Sequence, residues 1–310
     1  MKLIKILIAL ILIITLLAIA TFYYFDRETI TLNSETRVEL GGTYTSLPIG
    51  VVHYEIAGPK AGEVVVLVHG FSVPSFIWDP TFQFLKENGY RVLRFDLFGR
   101  GYSDRPDEEY GLELFSKQIR GVLHALAIDK PINLVGLSMG GSIVTRFTND
   151  NPKKVKRLIL QDPLVHQIPQ STISPVHLPM IGELLANVLL IPNLIKGNQD
   201  KINEQRVPGW GARFAEQAKI KGFRKGLLSS IRYFSSQPLI QEYEKLSKSN
   251  IPKLLIWGSN DQVIPISEAK SIIDLIPSIQ YNIIDGAGHV PSVEKPEAFN
   301  EILLNFLENH

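Results

Sequence analysis

The residues with the clearest chemical potential lie in the segment Gly136-Leu137-Ser138-Met139-Gly140-Gly141. An apolar run precedes this segment and apolar residues at helical spacing follow it, which predicts a strand, a sharp turn and a helix with Ser138 at the apex. The G-x-S-x-G pattern in this context is typical of a nucleophilic serine held on a tight strand-to-helix turn. The glycines leave room where the backbone folds back on itself. Ser138 is therefore the candidate nucleophile.

A serine hydroxyl becomes a strong nucleophile when a base removes its proton, and a carboxylate commonly orients that base. His289 ends the segment Asp285-Gly286-Ala287-Gly288-His289, which follows a predicted strand, and Asp261 follows the strand before it. Catalytic groups gather at the carboxyl ends of neighbouring parallel strands. We therefore predict His289 as the base and Asp261 as the acid, in the chain order serine, acid, base. Asp162, which ends an earlier predicted strand, stays open as an alternative acid.

The tetrahedral intermediate of such a reaction needs hydrogen-bond donors for its oxyanion. We predict two backbone N–H groups in this role, those of Met139, directly after the nucleophile, and Phe71, at the end of a predicted strand. His69, two residues before Phe71, is expected to hydrogen-bond its own loop. The polar loop that contains Asp96 and residues 100–104 is expected to pin turns rather than to touch a substrate.

Strand and helix patterns alternate along most of the chain and predict how these residues are positioned. Two short alternating runs, residues 37–44 and 51–56, predict a hairpin at one edge of a sheet. From residue 63 to 160, and again from residue 253 to 307, runs rich in Val, Leu and Ile alternate with amphipathic segments. Continuous apolar runs are typical of strands covered on both faces. The alternation therefore predicts a parallel sheet with helices on both faces.

This alternation stops between residues 163 and 250, where helical patterns are divided by prolines and glycines. A structureless loop of this length is implausible inside a domain. We predict a helical cap over residues 163–250, inserted into an α/β core of residues 36–162 and 251–310. Its apolar stretch, residues 184–191, is suited to lining an acyl pocket, to touching lipid or to forming the interior of the cap itself.

Residues 1–26 form a segment of different character. Residues 6–25 carry no charge, and at about 1.5 Å per residue a helix of this length spans the hydrocarbon core of a bilayer. Lys2 and Lys5 precede this run and aromatic residues end it, which favours an uncleaved anchor with a cytoplasmic N-terminus. The tripeptide Ala18-Ile19-Ala20 has the form of a signal-peptide cleavage site, so a cleaved signal is the alternative. The first interpretation predicts a membrane-anchored domain outside the cytoplasm, and the second a secreted or periplasmic one.

Composition excludes several other classes of function. The 310-residue chain is 45% hydrophobic and has a formal net charge of +1. Such a balance lacks the concentrated basic surface that binds phosphates, so we expect no nucleic-acid partner. The chain contains no cysteine, which excludes disulfides, zinc–thiolate sites and a cysteine nucleophile. Because the sequence has no metal-ligand spacing and no phosphate-binding loop, we expect neither a metal nor another cofactor.

Motifs in a fixed order resemble those of the α/β-hydrolase superfamily, in particular its capped serine esterases and monoacylglycerol-type lipases. These motifs are Val68-His69-Gly70-Phe71, Phe95-Asp96-Leu97-Phe98-Gly99-Arg100-Gly101-Tyr102-Ser103, Gly136-Leu137-Ser138-Met139-Gly140-Gly141, Gly258-Ser259-Asn260-Asp261 and Gly288-His289. The resemblance implies the α/β-hydrolase fold, with an eight-stranded, mostly parallel sheet, helices on both faces and an inserted helical cap. It also implies that Ser138, Asp261 and His289 form a catalytic triad.

The residues and the resemblance together predict a serine carboxylic ester hydrolase that acts through an acyl-enzyme. The expected substrates are short- to medium-chain acyl esters and monoacylglycerol-like lipids. C–C bond hydrolases and perhydrolases of the superfamily share the triad and are the alternative. The C–C hydrolases usually carry a Gly-Pro-Gly-Ala-like segment after the first His-Gly, where this chain has Ser72-Val73-Pro74-Ser75. Haloalkane dehalogenases and epoxide hydrolases use an aspartate as the nucleophile on the strand-to-helix turn, where this chain has Ser138.

Overall fold

Eight strands form one sheet in the computed structural model, which describes residues 1–199 and 201–310. In chain order they are β1 (Thr43–Leu47), β2 (Gly50–Ala57), β3 (Val64–Val68), β4 (Arg91–Phe95), β5 (Ile132–Leu137), β6 (Val155–Gln161), β7 (Lys253–Gly258) and β8 (Gln280–Ile284). Their order across the sheet is β1-β2-β4-β3-β5-β6-β7-β8. Strand β2 runs antiparallel to both of its neighbours, and the other neighbouring pairs are parallel. The mostly parallel, eight-stranded sheet implied by the resemblance is confirmed.

Helices precede, connect and follow the strands. Before the insert these are α1 (Lys2–Phe25), α2 (Ser34–Leu40), α3 (Asp79–Glu87), α4 (Leu112–Ala125) and α5 (Met139–Asp150). Between β6 and β7 follow α6 (Gln170–Ile173), α7 (Ile181–Leu185), α8 (Ile191–Gly197), α9 (Lys201–Arg206), α10 (Trp210–Gln217), α11 (Phe223–Ser236) and α12 (Ile240–Leu246), with a π-helical turn (Ala186–Leu190) joining α7 to α8. The last three are α13 (Ala269–Leu275), α14 (Pro291–Glu294) and α15 (Pro296–Asn309).

The central strands are buried on both faces, which explains their composition. In β3, Val66 and Val68 contact the core that α4 and α5 cover, whereas Val65 and Leu67 contact the core that α3 and α15 cover. All four side chains are inaccessible to solvent. Burying each one stabilises the fold by about 1.5–3 kcal/mol. Because both faces are apolar, the sheet is held in a fixed position beneath the loops that follow its strands.

The prediction of a strand over residues 37–44 is wrong in its first half. Residues Ser34–Leu40 form helix α2, and β1 begins only at Thr43. Asn33 and Thr36 explain the helix, because the Asn33 side chain accepts from the Thr36 amide (2.9 Å) and the Thr36 hydroxyl accepts from the Asn33 amide (2.8 Å). These reciprocal bonds satisfy amides that have no partner in the first turn of a helix. The hairpin itself, β1 with β2, is confirmed.

The segment between β6 and β7 is helical in the part that the structure describes, as the sequence predicts. Apart from an isolated bridge between Ile30 and Ile220, residues 163–199 and 201–250 contain no strand pairing. Residue 200 of the predicted cap lies outside the described residues. Trp210 and Phe214 of α10 pack into the same core as β3 and α15, so this insert is anchored on the sheet.

Helix α1 is long enough and apolar enough to cross a membrane. It has 24 residues, which correspond to about 36 Å at about 1.5 Å per residue. None of its residues is fully buried against the rest of the protein. The N-terminal helix predicted from the sequence is therefore present.

Candidate active site

Ser138 lies at the junction of β5 and α5, in a backbone conformation typical of a tight turn. Its φ and ψ angles are 55° and −123°, a sparsely populated region for a residue with a side chain. Gly136 and Gly140 make the turn possible, because a Cβ on Gly136 would lie 2.5 Å from the Gly140 carbonyl oxygen. The Ser138 side chain is partly exposed. The serine is thus presented at the carboxyl edge of the sheet, as the sequence predicts.

The structure brings His289 and Asp261 together. The Nδ1 atom of His289 lies 2.7 Å from Oδ2 of Asp261, whose side chain is fully buried. The other oxygen of Asp261, Oδ1, accepts hydrogen bonds from the amides of Val263 (2.7 Å) and Ile264 (3.0 Å). Because this carboxylate only accepts, His289 donates from Nδ1 and its Nε2 is left as the basic atom. The His289 side chain is 17% exposed, so part of the imidazole ring is accessible to solvent.

Glu294 orders the loop that carries His289, a role that the sequence does not reveal. Its Oε2 accepts from the Gly288 amide (2.6 Å) and its Oε1 accepts from the Val290 amide (2.9 Å), one on each side of the histidine. Hydrogen bonds to a charged acceptor are each worth about 1.5–3 kcal/mol. A carboxylate a few residues beyond a glycine-rich loop is the only sequence signal for this clasp.

Asp162 lies beside the acid but is bonded to a different partner. Its Oδ1 accepts from the Gly258 amide at 2.8 Å, and its backbone φ is 41°. Burial raises the pKa of Asp162 well above its usual range, and the carboxylates of Asp261 and Glu294 raise it further. Its Oδ2 is buried and finds no donor among the described residues. A protonated Asp162 resolves this, because Oδ2 can then donate to the neighbouring Asp261 carboxylate.

Asp162→Asn is expected to make stability less dependent on pH. A carboxyl whose pKa is raised by folding stabilises the protein fully below the unfolded pKa of about 3.9, and this contribution is lost as the pH rises towards the folded pKa. Asparagine keeps an oxygen for the Gly258 amide and does not ionise. The free energy of unfolding can be measured by urea titration of the detergent-solubilised protein at a series of pH values. Relative to that of the wild type, the free energy of unfolding of the variant should increase as the pH rises above about 4.

The matched control for that measurement is Asp285→Asn, because Asp285 is exposed on the neighbouring loop. The difference in free energy of unfolding between Asp285→Asn and the wild type should change little with pH. A difference between Asp162→Asn and the wild type that is equally flat would contradict a raised pKa at Asp162.

Met139 and Phe71, whose amides the sequence predicts as oxyanion donors, both lie close to Ser138 in the structure. Met139 is the first residue of α5, a position where the amide has no acceptor within the helix. The loop that contains Phe71 approaches the nucleophile closely, because a Cβ on Gly70 would lie 3.2 Å from the Ser138 Cβ. The side chain of the buried Arg100 holds this loop by donating from Nε to the Phe71 carbonyl oxygen at 2.8 Å.

His69 hydrogen-bonds its own loop, as predicted. Its Nε2 accepts from the Leu97 amide at 2.9 Å, so the proton is on Nδ1, which donates to the Gly70 carbonyl oxygen at 2.9 Å. Complete burial lowers the pKa of His69 to about 4 and keeps the ring neutral. His69 therefore fixes the backbone next to Phe71.

The polar loop around Asp96 is structural, again as predicted. Asp96 accepts from the Ser75 amide (2.9 Å), the Ser75 hydroxyl (2.6 Å) and the Tyr102 amide (2.9 Å), and it contacts the His53 ring (2.8 Å). Burial works to raise the pKa of Asp96, but His53 and the hydrogen bonds hold it well below its usual range.

In the described part of the chain, no group of three or more His, Asp or Glu side chains is arranged to hold a metal ion.

This fold and this site define a class of protein. The chain belongs to the α/β hydrolase fold family, whose profile matches residues 63–296. A 2-hydroxy-6-oxononadienedioate/2-hydroxy-6-oxononatrienedioate hydrolase of Comamonas testosteroni is 27% identical over 271 residues, which cover 83% of this chain and 91% of that protein.

Solved structures extend the comparison. A bromoperoxidase from Bacillus anthracis is 26% identical with a TM-score of 0.72, covering 86% of this chain and 100% of the other. A thermophilic esterase from Thermogutta terrifontis also gives a TM-score of 0.72, at 21% identity and coverage of 86% and 98%, a likeness of fold alone. The family and its hydrolase relatives support a hydrolase, and their names span more than one reaction.

Proposed function

We propose that this protein is a serine hydrolase that cleaves carboxylic esters through an acyl-enzyme. The observation that carries the proposal is the buried Asp261 carboxylate, which bonds His289 at the sheet edge where Ser138 stands. A partly exposed serine hydroxyl, an acid and a base, in this chain order, are the parts of a catalytic triad. Among the described residues no hydrogen bond joins the Ser138 hydroxyl to His289, and such bonds often tighten only when substrate binds.

The reaction proceeds in two halves. His289 Nε2 takes the Ser138 proton while Oγ attacks the ester carbonyl carbon, and the amides of Met139 and Phe71 stabilise the oxyanion. Collapse of this intermediate expels the alcohol, which receives the proton from His289. Water then attacks the acyl-enzyme with its proton passing to His289, and the carboxylic acid leaves as Ser138 is restored. None of these steps needs a cofactor.

Short- to medium-chain acyl esters and monoacylglycerol-like esters are the proposed substrates. The insert supports this choice, because its stretch 184–191 is apolar. Ala186 and Ile191 are buried within the protein, whereas Leu189 is exposed, so the stretch is divided between the interior of the insert and its surface. Residues 163–250 act in this proposal as a cap over the site.

Helix α1 is proposed to anchor the catalytic domain to a membrane, with the domain outside the cytoplasm. Its uncharged length and the lysines at its beginning, Lys2 and Lys5, support this orientation. A cleaved signal sequence is the alternative, and it gives a secreted or periplasmic enzyme.

A C–C bond hydrolase is the second candidate, and a perhydrolase with the same triad is a further alternative. The C–C candidate is favoured by the Comamonas testosteroni relative, whose name describes a dienedioate hydrolase. Against it stands the loop after Phe71, where Ser72-Val73-Pro74-Ser75 replaces the usual glycine-rich segment. The same nucleophile serves these reactions, so substrate preference decides between them.

A substrate panel tests the proposal. Purified full-length protein should hydrolyse p-nitrophenyl esters and a monoacylglycerol, with turnover that depends on acyl-chain length, and should leave a vinylogous diketone intact. Protein carrying Ser138→Ala and prepared in the same way provides the blank. Cleavage of the diketone without ester hydrolysis would establish the C–C candidate instead.

A further inference from the structure

The end of helix α1 is attached to the insert. Helix α1 packs against α7 and the π-helical turn. The Asn187 side chain donates to the Phe22 carbonyl oxygen at 3.2 Å, and the Arg224 guanidinium lies 4.6 Å from the centre of the Phe22 ring. A membrane-crossing α1 would therefore hold α7 and the π-helical turn close to the bilayer surface.

The residues directly after α1 extend this attachment. Asp26 accepts from Arg224 at 3.1 Å, and Glu28 accepts from the amides of Gly222 (2.9 Å) and Arg224 (2.6 Å). Ile30 then exchanges backbone hydrogen bonds with Lys219 and Lys221, each 2.8 Å long. The connection between helix and insert is thus short and bonded along its length, which limits how far the insert can turn away from α1.

Four large apolar side chains are exposed on or beside the elements that contact α1. Met180 is 83% exposed and Leu189 is 52% exposed, and Leu178 and Ile181 are exposed as well. These four residues, which we name the apolar face, begin just before α7 and end in the π-helical turn. They lie within one short stretch of the chain, residues 178–189, and exposed apolar side chains that form a continuous patch mark interaction sites more often than isolated ones do.

The charge pattern selects a lipid occupant. From residue 178 to residue 195 the chain carries a single charged residue, Glu183. Glu183 is paired with Arg232 at 2.9 Å, so the segment brings no unpaired charge to its surface. A surface of this composition can enter the boundary between headgroups and acyl chains without leaving a charge unsatisfied.

We propose that the apolar face lies in the outer interfacial layer of the bilayer that α1 crosses, and that it binds lipid acyl chains there. This inference rests on the proposed anchoring of α1. It means that the insert, and not only α1, contacts the membrane. The cap of the enzyme would then face the phase in which acyl esters of lipids are dissolved.

Fluorescent labels on the full-length protein test this directly, because the native chain has no cysteine and each introduced one is unique. Leu189→Cys and Met180→Cys report on the apolar face, and Ile13→Cys reports on the middle of α1. Ile283→Cys is the matched control, since Ile283 on β8 is 51% exposed, close to the 52% of Leu189. Each variant carries the environment-sensitive dye NBD and is reconstituted into phosphatidylcholine vesicles.

The emission of the labels at positions 180 and 189 should be shifted to the blue, because the dye lies in an apolar environment. It should also lose intensity when the vesicles contain doxyl-labelled lipids, which quench the dye. Doxyl groups near the headgroup should quench more strongly than those at the chain end, because an interfacial face lies only about 5–10 Å into the bilayer boundary. The label at position 13 should be quenched most by chain-end doxyl groups. The label at position 283 should be unaffected.

Three results would overturn the proposal. The labels at 180 and 189 could behave like the control at 283, or the label at 13 could remain unquenched, which would remove the anchor. A blue shift at 180 and 189 without quenching by lipid would mean that protein, such as a second copy of this chain, covers the face. Quenching does not depend on Ser138, so a protein that is quenched but inactive on esters would contradict the proposed function alone.

Discussion

Ser138→Ala is expected to lower kcat for p-nitrophenyl ester hydrolysis by at least about 10⁴-fold, because no other group can form the acyl-enzyme. The strained turn at Ser138 needs the flanking glycines and not the hydroxyl, so the fold should survive. Circular dichroism and the thermal transition should match those of the wild type, and the steady-state rate should fall to the level left by the oxyanion donors.

Covalent labelling gives the same prediction a second measurement. A fluorophosphonate probe should attach to the wild type at Ser138, as identified by mass spectrometry of the labelled peptide, and should not attach to Ser138→Ala. Ser236→Ala is the matched control, since Ser236 is exposed at the end of α11. Retained ester hydrolysis in Ser138→Ala, or a probe adduct on another residue, would remove Ser138 from the mechanism.

Asp261→Asn is expected to lower kcat by about 10⁴-fold while leaving KM nearly unchanged. The present carboxylate accepts from His289 Nδ1 at 2.7 Å, which keeps Nε2 free to take a proton. An amide at this position can donate to Nδ1 and would stabilise the tautomer whose Nε2 already carries hydrogen. Stopped-flow or steady-state kinetics on a p-nitrophenyl ester measure the effect.

The same experiment decides between the two acids. Asp162→Asn should retain most of the wild-type activity, because Asp162 bonds the Gly258 amide and asparagine preserves that bond. Asp285→Asn, on the exposed loop before the histidine, should also be active. If Asp261→Asn kept its activity and Asp162→Asn lost it, Asp162 would be the acid and the proposed triad would be wrong.

Much of the fold was accessible from the sequence because its signals are local. A run of Val and Leu with both faces buried, as in β3, is visible in the residues themselves. The signal for the strand-to-helix turn at Ser138 is local in the same way, since Gly136 and Gly140 are required by contacts within the turn and with the adjoining strand. The error at residues 37–44 was also local. It arose because the capping bonds of Asn33 and Thr36 outweighed an alternating pattern.

The sequence by itself therefore determined the order of the strands, the position of Ser138 at a turn, and the placement of Asp261 and His289 after successive strands. Only the tertiary structure decided which carboxylate His289 contacts, that Glu294 clasps the histidine loop, and that α1 is bonded to the insert. Each of these depends on side chains meeting from segments separated by loops, and loop geometry is set by the packing of the whole sheet rather than by neighbouring residues. Asp162 and Asp261 both follow predicted strands. In the structure, however, Asp162 accepts a hydrogen bond from the Gly258 amide, and Asp261 accepts one from His289.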